Sequence, residues 1–396
     1  MKRLSRVIAV LATASACLLA GCSSSQSDGA ATASADSGGP AATECPGDVD
    51  PAALVPPAIV GRGPDGVEAA PPNAVALTPD EISAAKAKAF TVGIVMQTMD
   101  IEWSTEQVRG MTDRLKEYGA SVVGVVDPQF QVEKQIAGIQ NMVLQKPDAI
   151  ISIPVDDTAT AEAYKSVSDA GIKLIFMDNV PRGLQYPAQY QSMVSSDNQG
   201  NGAVAAEVLA RCIADGGTVG VIGFGVDFFV TDERERGFVG WMEANRPDIK
   251  IKSADFIDPA DSGDVASNFL TANPDVAGMF TVWEVPAMGI VSAQREQGKD
   301  IPVVSINIAS DVALDLASGG LVKGFGAQVP YDQGLAEADA AIGALLGKQL
   351  PKWVAFPAVP VVQGNVLQAW QDVYHGDPPA ELVQACAASG ACGTAP

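Results

Sequence analysis

The chain has 396 residues, 47% of them apolar and only 18% charged, which is enough to bury more than one core, so two domains are expected. Its 25 basic and 47 acidic residues leave a formal charge of −22, a field that repels phosphate backbones and excludes nucleic acid as a partner. The one histidine, His375, lies beside Gly376 and Pro378, which excludes a multi-histidine metal site, and no cofactor is implied.

Lys2, Arg3 and Arg6 precede an apolar run from Val7 to Ala20, the pattern of an export signal and too short for a comfortable membrane span. The run ends in Leu19-Ala20-Gly21-Cys22, which resembles the bacterial lipobox, where a peptidase cuts before the cysteine and its thiol carries lipid. Residues 1–21 are therefore expected to be removed, and the chain to be exported and held on the outer face of the cell membrane through Cys22. The cut takes away three basic residues and no acidic one, moving −22 to −25. Residues 22–43 are almost wholly Ser, Ala, Gly, Thr and Asp, a flexible tether with an end-to-end distance of roughly 25 Å. Residues 44–88 carry eight prolines and read as an extended arm lying on the body. Outside the cytoplasm Cys45, Cys212, Cys386 and Cys392 suggest two disulfides, whose pairing the sequence leaves open.

From Ala89 onward short apolar runs alternate with segments of helical period. Strands are expected at Phe90 to Met96, Ser121 to Val126, Ala149 to Ile153 and Ile172 to Met177, with helices between them; Val132, Ile136, Ile139 and Val143 fall on one helix face. The rhythm restarts after Asn198, with strands at Thr218 to Ile222, Lys250 to Phe256, Val276 to Thr281, Val303 to Ile306 and Leu321 to Ala327. Helices are expected at Thr231 to Ala244, Pro286 to Gln297 and Tyr331 to Leu346, and one last strand-like stretch at Trp353 to Val362. Runs that do not alternate suit parallel sheets covered on both faces. The fold class is α/β: two doubly wound parallel-sheet domains joined by a three-strand hinge, with a ligand cleft between them. One lobe is expected from residues 89–196 plus 329–358, the other from 197–328 plus 359–396.

In such sheets ligands meet the carboxyl ends of strands. The chemistry-bearing residues collect there: Asp100 and Trp103 after the first strand, Asp156 and Asp157 after the third, Asp178 and Asn179 after the fourth. In the second half Arg234 opens a helix, Phe256 ends a strand, and Trp283, Asn307 and Gln328 follow strands. Carboxylates and amides accept hydroxyl hydrogens, arginine donates to oxygens, and an indole covers a C–H face, a combination suited to a small neutral polyhydroxylated ligand.

The stretch from Val92 to about Gln328 resembles the sugar-binding (ribose-receptor-like) branch of the type I periplasmic binding proteins, the receptors of ABC importers. The resemblance is carried by Gln97 to Trp103, Ile153-Pro154-Val155-Asp156, Ser196-Asp197-Asn198, Arg234 to Phe238, Ala254-Asp255-Phe256 and Gln328 to Gly334. It implies stacking by Trp103, hydroxyl contacts from Asp156 and Arg234, a second aromatic cover from Phe256 and a hinge position for Gln328. Trp283 stands where the family usually has Asn, and Asn307 where it has Asp. These changes trade hydrogen bonding for apolar surface and remove a charge, which makes another pentose or a short polyol as good an expectation as ribose. The resemblance further implies a monomer that closes on its ligand and delivers it to ABC permease transmembrane subunits, not an enzyme.

Each residue also has an ordinary structural use. Asp156 and Asp157 can cap the next helix, Arg234 can pair with Glu235, and Trp103 and Trp283 can be core. A receptor that reports to a membrane sensor would use the same residues. Glycoside hydrolysis by a pair drawn from Asp100, Glu102, Asp156 and Asp178 is the remote alternative, since nothing fixes two of them at a working separation.

Overall fold

The computed structural model describes Cys45, residues 49–54 and residues 58–393. The export signal, Cys22 and the tether lie outside the described residues. After α1 (Pro79–Lys88) come β1 (Thr91–Val95), α2 (Glu102–Glu117), β2 (Ser121–Val126), α3 (Val132–Gln145), β3 (Ala149–Ser152), α4 (Ala161–Asp169), β4 (Lys173–Met177) and β5 (Ser192–Ser196). The second set is α5 (Asn198–Ala210), β6 (Thr218–Phe224), α6 (Phe229–Asn245), β7 (Lys250–Phe256), α7 (Ser262–Ala272), β8 (Val276–Thr281), α8 (Glu284–Glu296), β9 (Val303–Ile306), α9 (Ser310–Ala317) and β10 (Val322–Ala327). The chain ends with α10 (Pro330–Leu345), β11 (Trp353–Phe356), β12 (Val359–Val362), α11 (Val366–Tyr374) and α12 (Ala380–Ser389).

Two six-stranded sheets result, ordered β11-β5-β4-β3-β1-β2 and β12-β10-β9-β8-β6-β7. The orders are the same winding repeated, each with its switch point between the first and third strands of its set. All ladders are parallel except β10 with β12. The chain passes between sheets three times: from β5 to α5, from β10 to α10, and from β11 to β12. β3 and β9 are buried along their whole length, which is why their sequences do not alternate.

The structure departs from expectation at three places. Trp353 to Val362 is two strands, broken at Pro357, which cannot donate to a ladder; the halves belong to different sheets. β5 is polar in sequence and shows no apolar run. Its serines are nevertheless buried because their hydroxyls have partners: Ser192 Oγ donates to Pro351 O (2.8 Å), and Ser195 Oγ accepts from Trp353 Nε1 (2.7 Å). The arm is not extended throughout, since its last ten residues form α1. Thr78 caps it, accepting from Glu81 N (3.3 Å) while Glu81 takes the Thr78 N–H (2.7 Å), with Pro79 at the first helical position.

Each lobe presses two helices together at glycines. A Cβ on Gly202 of α5 would lie 2.0 Å from Arg234 O in α6, and one on Gly334 of α10 would lie 2.3 Å from Gln107 O in α2. No side chain fits at either position. The helices that carry Arg234 and Trp103 are thereby held against the elements that leave the hinge. In the structure Cys45 is bonded to Cys212, and Cys386 locally to Cys392.

Candidate functional site

A cavity lies between the lobes at the carboxyl ends of both sheets, with about 460 Å³ of empty space counted out to its mouth. From the first lobe come Gln97, Ile101 and Trp103 after β1, Phe130 after β2, Ile153 after β3 and Asp178 after β4. The second supplies Phe224 at the end of β6, Phe228, Val230, Thr231 and Arg234 after it, then Trp283 after β8 and Asn307 after β9.

The lobes touch around this cavity. Glu102 Oε1 accepts from Ser310 Oγ (2.5 Å) and its Oε2 from Ser310 N (3.1 Å), joining α2 to the start of α9. Arg182 of the first lobe pairs with Asp227 of the second. Phe228 and Val230 pack in one cluster with Trp103, Met96 and Met177 of the opposite lobe. This is a closed cleft.

The polar floor is built from two matched turns. Asp178 follows β4 and Asn307 follows β9, the same position in the two sheets, and both take positive φ (50° and 68°). Asp and Asn tolerate the left-handed region better than other side-chain-bearing residues. Each backbone N–H is tied to the next strand, Asp178 N to Val194 O (2.9 Å) and Asn307 N to Gly326 O (3.1 Å). Asp178 Oδ1 accepts from Ser196 N (3.3 Å) and Gln333 Nε2 (3.5 Å). Burial pushes its carboxyl up to about 6, against the pull of Arg234 across the cleft.

Arg234 is buried, with each of its nitrogens engaged. Nε donates to Asn198 Oδ1 (3.0 Å) and Nη1 to Val282 O (2.9 Å). With its amide oxygen turned inward, Gln328 accepts from Arg234 Nη2 and from Trp103 Nε1 (3.3 Å). Burial lowers the guanidinium to about 10, opposed by Asp178 and Glu284, so it stays charged at neutral pH. Asn307 lies 2.9 Å from the Gln328 amide and donates to Glu284 Oε2 (2.9 Å), whose carboxyl burial also raises. Thus Trp103, Gln328 and Arg234 form one hydrogen-bonded group with the Asn307–Glu284 pair packed beside it, and Asp178 faces both.

Of the residues singled out by sequence, Trp103, Arg234, Trp283 and Asn307 line the cavity, with Gln328 behind the floor. Phe256 stands one layer back, its ring centroid 5.4 Å from Phe224 and 5.2 Å from Trp283. Asn179 is buried outside the lining, and its Nδ2 has no hydrogen-bond partner among the described residues. Asp156 is not brought to the cavity; its Oδ1 takes the N–H groups of Thr158 (2.9 Å) and Ala159 (2.7 Å). Asp157 bonds Arg182 Nε (2.9 Å). Asp100 lines a separate interlobe hollow with Glu102, Glu284 and Ser310.

Residues 92–349 match the periplasmic binding protein domain family. The chain belongs to that family. The ribose import binding protein RbsB of Bacillus subtilis (strain 168) is 26% identical over 270 residues, 68% of this chain and 86% of its own. A solute-binding protein of an ABC transporter from Agrobacterium vitis, solved with bound alpha-D-tagatopyranose, is 25% identical, with a TM-score of 0.67 over 72% of this chain and 99% of its own. One from Mycobacterium smegmatis, solved with bound glycerol, is 20% identical, with a TM-score of 0.64 over 74% and 99%; that likeness is one of fold. Membership makes the chain an extracytoplasmic binding protein and not an enzyme. Among the described residues no helix is long and apolar enough to cross a membrane.

Several lining residues of this binding protein were not singled out: Gln97, Phe130, Phe224, Phe228 and Thr231, and Asp178 in preference to Asn179. The strand-end rule points at all of them. Phe224 and Phe228 were hidden because β6 extends two residues beyond Ile222, which places its end at the aromatic cluster.

Proposed function

We propose that this periplasmic binding protein captures a monosaccharide of pentose size, or a short polyol, in the interlobe cavity and closes on it for delivery to an ABC permease. The observation that carries this reading is the opposition of Asp178 and Arg234 across a closed cavity flanked by Trp103 and Trp283. A buried carboxylate and guanidinium give charge-assisted hydrogen bonds to hydroxyls, each ~1.5–3 kcal/mol. Indole faces cover the C–H surface of a sugar ring. The lining offers five polar side chains against eight apolar ones, which favours a ligand with few hydroxyls over a hexose.

Function follows from closure. A ligand that touches both lobes binds the closed form more tightly and shifts the population toward it. Moving from mostly open to mostly closed takes about 5.5 kcal/mol of differential affinity, within reach of a micromolar binder at about −8 kcal/mol. The closed surface is then what a permease reads. Lipid on Cys22 and the tether of residues 22–43 keep a monomeric body beside that permease.

The test is a thermal-shift screen of the purified protein against pentoses, deoxy-sugars, hexoses and four- to six-carbon polyols. A ligand at a hundred times its Kd stabilises by ~2.7 kcal/mol. The expected result is a hit among the smaller compounds that disappears in both Trp103→Ala and Arg234→Ala. A panel with no stabilising sugar or polyol at millimolar concentration would sink the reading.

A further inference from the structure

The arm before α1 runs over both lobes, and the anchors are of different kinds. Leu54 is fully buried in the core of the second lobe, with Val49 and Cys45 packed against the same cluster. Cys45 is bonded to Cys212, just beyond the end of α5 in that lobe. Further on, Gly63 lies flat on the Trp353 indole, where a Cβ would sit 2.5 Å from the ring. Ala70 extends the edge of the first sheet: its N–H donates to Trp353 O (2.9 Å), and its carbonyl accepts from Ala355 N (3.2 Å). Val75 is fully buried in the first lobe's core.

Between these anchors the arm touches the hinge itself. Asp197 sits on the first crossing, 1% exposed, and its backbone N–H donates to Phe356 O (2.8 Å) at the start of the third. Its carboxylate accepts from Val60 N (2.6 Å) and Gly61 N (2.9 Å) of the arm, and from Gly200 N (3.0 Å) at the start of α5. Gly61 is needed there, because a Cβ would fall 2.8 Å from Asp197 Oδ1. One residue therefore gathers two hinge crossings through its backbone and the arm through its carboxylate.

We propose that the arm is a fourth, covalent connection between the lobes, pinned to the hinge through Asp197, and that it limits how far the cleft opens. The three crossings are continuous chain. The disulfide adds a path from Cys212 through Cys45 and the arm to α1 in the first lobe. The stretch that spans the lobes is short: Gly61, held by Asp197, is two residues from Gly63 on the Trp353 indole, a reach of at most about 7 Å when fully extended. Leu54 packs in the same core as α5, which Asp197 caps, so opening that carries α5 away from the first sheet draws on that short stretch and then on the Asp197 contacts. Asp197 acts as a positioning residue: it holds strands and touches no cavity. A hinge left to three crossings bends more freely.

The proposal rests on the closure described above but not on the ligand, so it is tested with none present. Fluorophores placed at the exposed positions Leu144 in α3 and Ile257 after β7 report the separation of the lobes. Distance distributions are compared for the full-length chain, for Cys45→Ser with Cys212→Ser, and for Val60→Pro, which deletes one donor to Asp197 and leaves both lobe anchors. The expected result is a population at longer distance that grows at least about fivefold when the strap is loosened. Val60→Pro keeps the test decisive if the cysteine variant does not fold. Two distances in the parent that are unchanged in the variants would overturn the strap and leave closure standing. A single narrow distance in every chain would overturn both, and a shift toward shorter distance would overturn the strap.

Discussion

The two lobes are one winding built twice, yet they meet the cleft differently. Strand by strand the sheets correspond, and β4 and β9 end in the same left-handed turn. In the first lobe that turn carries a carboxylate, Asp178; in the second it carries an amide, Asn307. Around Asn307 stand Glu284, Gln328 and Arg234, so the amide satisfies an acid beside a group that already holds a positive charge. Around Asp178 are Ser196, Gln333 and apolar surface, and the counter-charge lies on the other lobe. The lesson is that repeating a backbone repeats the places where chemistry can stand, while the charge each place bears is set by what faces it. Closing the cleft brings the first lobe's buried acid to the second lobe's arginine.

Removing that arginine is the strongest way to break the comparison. Arg234→Ala leaves Asp178 and Glu284 buried without a counter-charge. Truncating one member of a buried, hydrogen-bonded charge pair costs about 3–5 kcal/mol. The melting temperature is expected to fall steeply and the ligand-induced shift to vanish together; a variant that melts like the parent would show that the acids do not depend on it. A smaller change makes the two turns alike. Asn307→Asp puts a further acid beside Glu284 and removes the donor that satisfies it, a loss of about 1–3 kcal/mol at pH 7 by urea unfolding. The deficit should narrow as the pH drops and one carboxyl of the pair holds a proton. A deficit that widens at low pH would argue against an acid pair.

Asp178→Asn makes the turns alike in the opposite sense, and its signature is a slope and not a loss. The folded carboxyl sits at about 6 against an ordinary 3.8, so the native state holds the proton more tightly than the unfolded chain. That contribution to stability is complete below about pH 4 and is lost as the pH rises through about 6. Glu284 and Glu337, both raised by burial, act with the same sign. The parent should therefore lose stability between pH 4 and 7 more steeply than Asp178→Asn does. Matching slopes in the two chains would show that Asp178 is not held protonated. Ligand affinity should run the other way, weakening in the parent from pH 7.5 to 5 as the carboxylate that accepts hydroxyl hydrogens is neutralised.

Much of this was legible in the sequence, for identifiable reasons. Buried parallel strands print as unbroken apolar runs, so both windings, the cleft and the strand-end rule could be read directly. Trp103, Arg234, Trp283 and Asn307 stand out because large aromatics, arginine and amides immediately after such runs have few purely local uses. What did not print was burial earned through partners. β5 reads as polar because its serines are satisfied by Pro351 and Trp353, far along the chain. Nor does composition tell which member of an adjacent pair points inward. In Asp178-Asn179 a single positive φ at the first residue decides it, and that φ follows from how β4 ends against β5. The arm's course depended on a disulfide partner 167 residues away.

The smallest effect tests the same point on the first lobe alone. Asp156 and Asp178 both follow strands of one sheet, and the family resemblance read from sequence favours Asp156 as the hydroxyl holder. In the structure Asp156 spends one oxygen on the N–H groups of Thr158 and Ala159, which makes it a turn residue, while Asp178 lines the cavity. Asp156→Ala should then cost about 1 kcal/mol, the ordinary price of a lost side-chain cap, and leave ligand affinity within a factor of two. Asp156→Asn keeps an oxygen for the same two donors and should recover most of the stability. Calorimetric titration of both variants separates the uses of the two acids. If Asp156→Ala binds tenfold more weakly while melting near the parent, the hydroxyl-holding role belongs to Asp156 and the cleft must rearrange on binding to bring it in.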